Sequence, residues 1–250
     1  MRYKDETLAR YEAMAREMVA FYRDEIRAGR IPKMRLSSGN SKIGRVKNFS
    51  TLAILTCGNC GECKHFCYAV KDAIRFPENV MRARAINTAL LWYAPQELYL
   101  QFREYFGNPR RRNRNFRFDV SGEISTRLLH MIVSIARDFP SYTIWMYTKM
   151  YAVVNRYVAR HARALGILET AGAAIRRAVI PSNLYIMFSK WDGVPMENPY
   201  QFPVFAVKMT AGNREPMEWS KMFHCPGDCQ VCLRNHCGCI AGEDTYNEEH

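Results

Sequence analysis

The chain's nine cysteines fall into two packets, at 57, 60, 63 and 67 and at 225, 229, 232, 237 and 239, with none between. Thiolates bind soft metals, and ligands this close in sequence point to a metal rather than to scattered structural cysteines. Cys57-x2-Cys60-x2-Cys63-x3-Cys67 has the spacing of the ferredoxin-type cluster run, with Tyr68 where that run usually carries Pro. Four thiolates in one short loop can wrap a compact [4Fe–4S] cube. Zinc also takes four thiolates, but usually from two separated knuckles. An iron–sulfur cluster is therefore the expectation for Cys57, Cys60, Cys63 and Cys67, with zinc and redox or structural cysteine as the alternatives. In the second packet His224 and His236 stand among Cys225, Cys229, Cys232, Cys237 and Cys239. Four of those five cysteines can close an auxiliary cluster or a zinc site that lids the fold, leaving one over.

The 250 residues carry 36 Lys+Arg against 24 Asp+Glu, a formal charge of +12, with 48% hydrophobic and 12% aromatic residues. That composition excludes a disordered chain and is enough for a substantial core. No apolar run reaches the ~18 residues of a membrane span, and the start, Met1-Arg2-Tyr3-Lys4-Asp5-Glu6, is charged rather than apolar. The expectation is a cytoplasmic protein without a signal peptide, in which an odd cysteine count argues against a disulfide framework. The positive excess points to an acidic partner, a small-molecule or nucleic-acid substrate. The densest basic run, Arg110-Arg111-Arg112-Asn113-Arg114, reads either as a solvated loop or as a phosphate-contacting patch.

The elements that must position these residues follow from periodicity. Residues 5 to 28 form an amphipathic helix, with Leu8, Tyr11, Met14 (or Ala15), Met18, Tyr22 and Ile26 at three- and four-residue steps, ended by Gly29 and Pro32. Phe49 to Thr56 reads as a buried strand leading into the first cysteine packet. Residues 69 to 106 are helical, with Pro77 and Pro95 opening successive pieces. Phe116 to Ser121 alternates: Phe116, Phe118 and Val120 face one way, Arg117, Asp119 and Ser121 the other. A helix over 125 to 138, a strand over Tyr142 to Lys149, a helix over 150 to 165 and a short helix within 166 to 180 come next. Strands follow over Leu184 to Ser189 and Pro203 to Met209, and from about 210 onward the chain reads as loop. Alternating strands and helices predict an α/β fold with a parallel sheet, whose sites lie at the carboxyl ends of the strands. The first packet, Ser121-Gly122-Glu123, Tyr147-Thr148-Lys149 and Ser189-Lys190 all fall there.

The order strand, cysteine loop, helix, strand, Gly-Glu turn is similar to radical S-adenosylmethionine (SAM) enzymes. More specifically, Ser38-Gly39-Asn40-Ser41-Lys42, the Cys63-x3-Cys67-Tyr68-Ala69 turn, Val120-Ser121-Gly122-Glu123 and Tyr147-Thr148-Lys149 resemble the phage and prophage "gene product 88" family. The resemblance implies a partial (β/α) barrel of radical-SAM type over 36–210, preceded by an N-terminal helix over 1–35 and followed by a Cys-rich metal-binding segment over 211–250. It further implies that Ser121, Gly122 and Glu123 hold the methionine amine of SAM, and it draws Asn40 and Lys42 into the cofactor site. The superfamily usually has Cys-x3-Cys-x2-Cys, and this loop ends in the reverse order. If all four cysteines ligate, no iron is left open for SAM; if one stands aside, the radical mechanism is available. Cys225-x3-Cys229-x2-Cys232 has the superfamily spacing literally, but it follows the last predicted strand and is set aside on that ground.

Outside the cysteines, Glu123 and Lys149 are the catalytic candidates. Glu123 reads as an acceptor for an ammonium group, or as a carboxylate favoured at a helix N-terminus. Asp119 and Arg117 read as a buried pair or as substrate contacts. Lys149 and Lys190 suit an anionic substrate or a cofactor carboxylate, and His65 shields the cluster loop. The leading expectation is a radical-SAM-like iron–sulfur enzyme served by an electron donor. The alternative is a non-enzymatic nucleic-acid-binding protein with structural metal sites.

Overall fold

The computed structural model describes residues 2–37, 39, 43–58, 60–167, 171–191, 194–209 and 217–248. The opening helix, α1 (Asp5–Arg27), buries Leu8, Tyr11, Ala15, Val19 and Tyr22 on one stripe. It is followed by β1 (Leu36–Ser37), β2 (Lys47–Phe49), α2 (Tyr68–Arg75), α3 (Arg82–Tyr93), α4 (Pro95–Gly107) and β3 (Asn115–Phe118). Then come α5 (Thr126–Asp138), β4 (Thr143–Thr148), α6 (Tyr151–Ala164), α7 (Gly172–Val179), β5 (Leu184–Ser189) and β6 (Val204–Lys208). The chain continues through β7 (Phe223–His224), α8 (Cys229–Asn235) and β8 (Thr245–Glu248). Pro95 opens α4, and Pro77 opens a π-helical turn over Pro77–Met81, where a missing N–H costs nothing. Ser125 caps α5 by accepting from the Leu128 N–H at 3.2 Å.

The strands form one sheet in the order β1-β2-β3-β4-β5-β6-β8-β7. All neighbours pair parallel except β1, which is antiparallel to β2. Parallel neighbours need long crossovers, and the helices supply them for β2 through β5. The alternation in the strands divides the faces. Phe116, Phe118, Ile144, Met146, Leu184, Ile186 and Phe188 join the main core with α1 to α6. On the opposite face Trp145 packs with Val46, Cys232 and Ile240, beside Tyr147 and Tyr185. The C-terminal segment therefore covers the sheet face that the helices leave bare.

Two sequence expectations are corrected. The strand expected over Phe49 to Thr56 ends at Phe49. Beyond it Thr51 N–H donates to the Ser121 carbonyl and Leu52 N–H to Thr88 Oγ1. Leu55 and Thr56 donate back to the Ala53 and Leu52 carbonyls, so the apolar run forms a turn instead of pairing as a strand. The segment from 210 onward, expected as loop, carries β7, α8 and β8, and β8 pairs with both β6 and β7. These strands continue the same sheet. Among the described residues no helix is long and apolar enough to cross a membrane.

Candidate functional site

A cavity of about 510 Å³ lies at the carboxyl ends of the strands. The segment after β2 gives it Cys57, Cys60, Cys63 and Cys67, and the segment after β3 gives Asp119 to Glu123. The ends of β4 and β5 supply Tyr147 with Lys149 and Ser189 with Lys190 and Trp191. Phe205 of β6, Asn247 of β8 and the thiol-bearing Cys225 and Cys229 complete it. All four strand ends singled out by their chemistry thus meet in one chamber, and two members of the second cysteine packet join them.

The cysteine loop is held from several sides. The Tyr11 hydroxyl of α1 donates to the Ala53 carbonyl at 3.0 Å, and Arg84 of α3 donates to the Ala69 carbonyl at 2.7 Å. Burial lowers the Arg84 pKa. Tyr68 donates to the Val120 carbonyl, tying α2 to the β3 turn. His65 is buried beneath the N-terminal segment, with Nδ1 3.0 Å from the Tyr3 carbonyl oxygen, so it anchors the loop to the start of α1. The four thiols are free. Cys57 donates to Cys60, which pushes the Cys57 pKa up, with burial and Glu123 adding to the effect, and holds that of Cys60 down. Burial raises Cys63 and Cys67. Lys149 faces the packet; burial opposes its charge, but Cys63, Glu123 and Cys57 outweigh that and its pKa rises.

The Ser121-Gly122-Glu123 turn is stitched to this loop. Ser121 Oγ donates to the Thr51 carbonyl at 2.9 Å, and the Glu123 N–H donates to Thr56 Oγ1 at 3.3 Å. Gly122 has φ +82°, and a Cβ there would lie 2.0 Å from Thr51 Oγ1, so only glycine fits. The Glu123 carboxylate accepts from Thr148 Oγ1 at 2.6 Å and from the Lys149 N–H at 3.1 and 3.2 Å. It lies ahead of the α5 cap, and its carboxylate reaches the backbone just before α6. Burial raises its pKa against the opposing pull of Lys149.

Asp119 and Arg117 do not form the expected buried pair. Asp119 is 5% exposed, and among the described residues neither of its carboxyl oxygens has a hydrogen-bond partner; Arg117 Nε lacks one too. Arg117 instead lays its guanidinium over the Tyr147 ring, 4.8 Å from the centroid. Burial first, then Glu123, pushes the Asp119 pKa well above its ordinary 3.8. An acid raised in the folded state adds stability that is full below that ordinary value and is lost as the pH climbs through the folded one. Replacing Asp119→Asn is therefore expected to remove a component of up to about 1.4 kcal/mol per pH unit from the acid side of the stability curve. Urea denaturation from pH 4 upward checks this, with Glu123 contributing a residual slope of the same sign. Equal slopes in the two chains would refute it.

In the second packet Tyr147 donates to Cys239, whose thiol also bonds Thr245; burial raises both the Cys239 and the Tyr147 pKa. Cys232 is hydrogen-bonded to Cys237, and burial, then Cys237, pushes its pKa up to about 12. The α8 helix that presents these groups is pinned by Gln230 Nε2 donating to the Ile43 carbonyl at 2.7 Å. Among the described residues no group of three or more His, Cys, Asp or Glu converges to hold a metal ion. Asn40 and Lys42 lie outside the described residues. The arginine run precedes β3, at the end of that strand opposite the cavity. There Arg111 stacks on Tyr105 at 3.6 Å and Arg114 on Tyr142 at 4.9 Å, so the run does not rim the chamber.

Sequence reasoning missed Trp191 and Phe205, which with Tyr147 make an aromatic wall, and the paired threonines 51 and 56. The threonines carried no signal, because their role depends on contact with a turn 70 residues away. No curated protein and no solved structure matches the chain. The family described as gene product 88 matches over residues 28–194, a stretch that holds the first cysteine packet and the strand-end motifs up to Trp191 but stops short of the second packet. By that match, which spans more than half of its length, the chain belongs to the gene product 88 family.

Proposed function

We propose that this chain is an iron–sulfur enzyme of radical-SAM type on a partial α/β barrel, with Cys57, Cys60, Cys63 and Cys67 as the donor set for a [4Fe–4S] cluster. One observation carries the reading: four unbridged thiols from one short loop open on a single cavity at the strand ends, beside a buried carboxylate and a half-buried lysine. The residues fit the group in kind: all four donors are sulfur, and they line one cavity. When bound, such a cluster supplies single electrons at low potential.

The chain's own groups then have distinct roles. Glu123 is fixed by Thr148 and the Lys149 N–H, and a carboxylate has about four acceptor positions, so Oε1 can still take an ammonium hydrogen from SAM. Lys149 stands beside the thiols, where it offsets their negative charge and attracts a carboxylate. Ser121 spends its hydroxyl on Thr51, so it positions the turn and binds no ligand through that atom. The second packet serves as an auxiliary cluster or zinc site, and Cys239, already held by Tyr147 and Thr245, is its surplus member. The same reading places the protein in the cytoplasm with an electron donor as partner.

Protein purified without oxygen is expected to contain about four iron and four sulfide ions for the first site, and its reduced form is expected to change its electron paramagnetic resonance spectrum when SAM is added. Stoichiometric zinc without sulfide overturns the cluster. An unchanged spectrum, with no cleavage of SAM, overturns the radical part alone.

A further inference from the structure

The lone carboxyl of Asp119 is the group in this chamber that the proposed chemistry leaves unexplained. It closes β3 in the left-handed conformation, φ 51°, a cost that persists only where the surroundings demand it. It lines the cavity, yet both of its oxygens are buried and, among the described residues, have no hydrogen-bond partner. Buried polar atoms are nearly always satisfied, and once ionised the two orphaned oxygens of this carboxyl ask for two donors from outside the chain.

What surrounds it restricts the donor. The wall beside it is aromatic: Phe205 packs edge-on against Tyr147 at 5.2 Å, and Arg117 covers the Tyr147 ring. Trp191 stands across from Lys149, whose Nζ is 5.8 Å from the ring centroid. Arg117, Lys149 and Lys190 bring positive charge to the same lining. A guanidinium or amidinium ligand would offer two N–H donors but would meet three cations. A neutral flat ring with two adjacent N–H donors, attached to an anion, satisfies the carboxyl, the aromatic wall and the charge together. Guanine presents that edge through its ring N–H and exocyclic amine.

We infer that the cavity binds a guanine-type nucleotide, with Asp119 receiving the two N–H donors of the base edge and the lysines favouring the phosphate. The inference rests on the reading of this cavity as the reaction chamber, and it names a substrate class for it. Binding and metal content are measured separately, so either can fail alone.

The test is calorimetric titration of the full chain, purified without oxygen, with guanosine, inosine and adenosine 5′-monophosphates. The guanosine nucleotide is expected to bind about ten- to a hundredfold more tightly than the adenosine one, which turns an acceptor towards the carboxyl, with the inosine nucleotide between them. Asp119→Asn suits the left-handed backbone and is expected to melt no lower than the unsubstituted chain while abolishing that preference. A Lys190→Ala chain is expected to bind all three more weakly and keep their ranking. Equal binding of the guanosine and adenosine nucleotides, no binding of either, or a preference that survives in D119N overturns the inference. Iron and sulfide content in the same preparations reports on the cluster irrespective of those results.

Discussion

Serine in place of Cys57, Cys60, Cys63 or Cys67 is expected to empty the first metal site. Each exchange replaces a soft thiolate by a hard hydroxyl of almost the same size, so the fold should survive, with a change of about 1 kcal/mol. Iron and sulfide should each fall by about four per chain in at least three of the four variants. The pattern discriminates between the two modes of ligation. Loss in all four means that every iron is capped by protein sulfur. Retention in one means that this cysteine stands aside and leaves an iron for a ligand. Cys60 differs most from its neighbours, because the Cys57 thiol donates to it and holds its pKa down. Retention of iron and sulfide in two or more variants would falsify the assignment of this packet.

The second large effect concerns Gly122. Alanine there adds a Cβ 2.0 Å from Thr51 Oγ1 and 2.6 Å from Thr56 Oγ1, on a backbone with φ +82°. Strain and clash together should cost about 3 kcal/mol or more, read as a shift in the urea midpoint. The damage should reach the chamber, because the Glu123 N–H bonds Thr56 Oγ1 and the Ser121 carbonyl receives the Thr51 N–H. Adding Thr51→Ala removes the nearest clashing atom but leaves Thr51 Cβ at 3.1 Å and Thr56 Oγ1 in place. The double variant should therefore recover only part of the loss. A Gly122→Ala cost below about 1 kcal/mol would show that the loop and the turn are not coupled as drawn.

Local pattern made the α/β order legible. Phe116, Arg117 and Phe118 alternate with period two, and the structure sends the phenylalanines into the helix-side core and Arg117 to the other face. Pro95 and the apolar stripes of α1 and α5 placed helices within a few residues. What escaped was non-local. The run Thr51 to Thr56 looks like a strand by composition, yet the Thr51 and Leu52 N–H groups go to Ser121 and Thr88, far along the chain, and those of Leu55 and Thr56 turn back onto the Ala53 and Leu52 carbonyls. β7 and β8 have only two and four residues and no apolar alternation; their pairing with β6 and with each other is what defines them. The site was readable as far as residue type at each strand end. The orphaned Asp119 was not, because its left-handed backbone and its separation from Arg117 arise only once the sheet has formed.

The interleaving of β8 between β6 and β7 has a consequence for biosynthesis. Asn247, a wall of the chamber, leaves the ribosome roughly 180 residues after Cys67, which at ordinary translation speeds is a delay of about ten to forty seconds. Throughout that interval the first four thiols are outside the tunnel with their enclosure unfinished. On the proposed cluster reading, loading can begin on the nascent polypeptide, before the last strand slots in and shuts the door behind it.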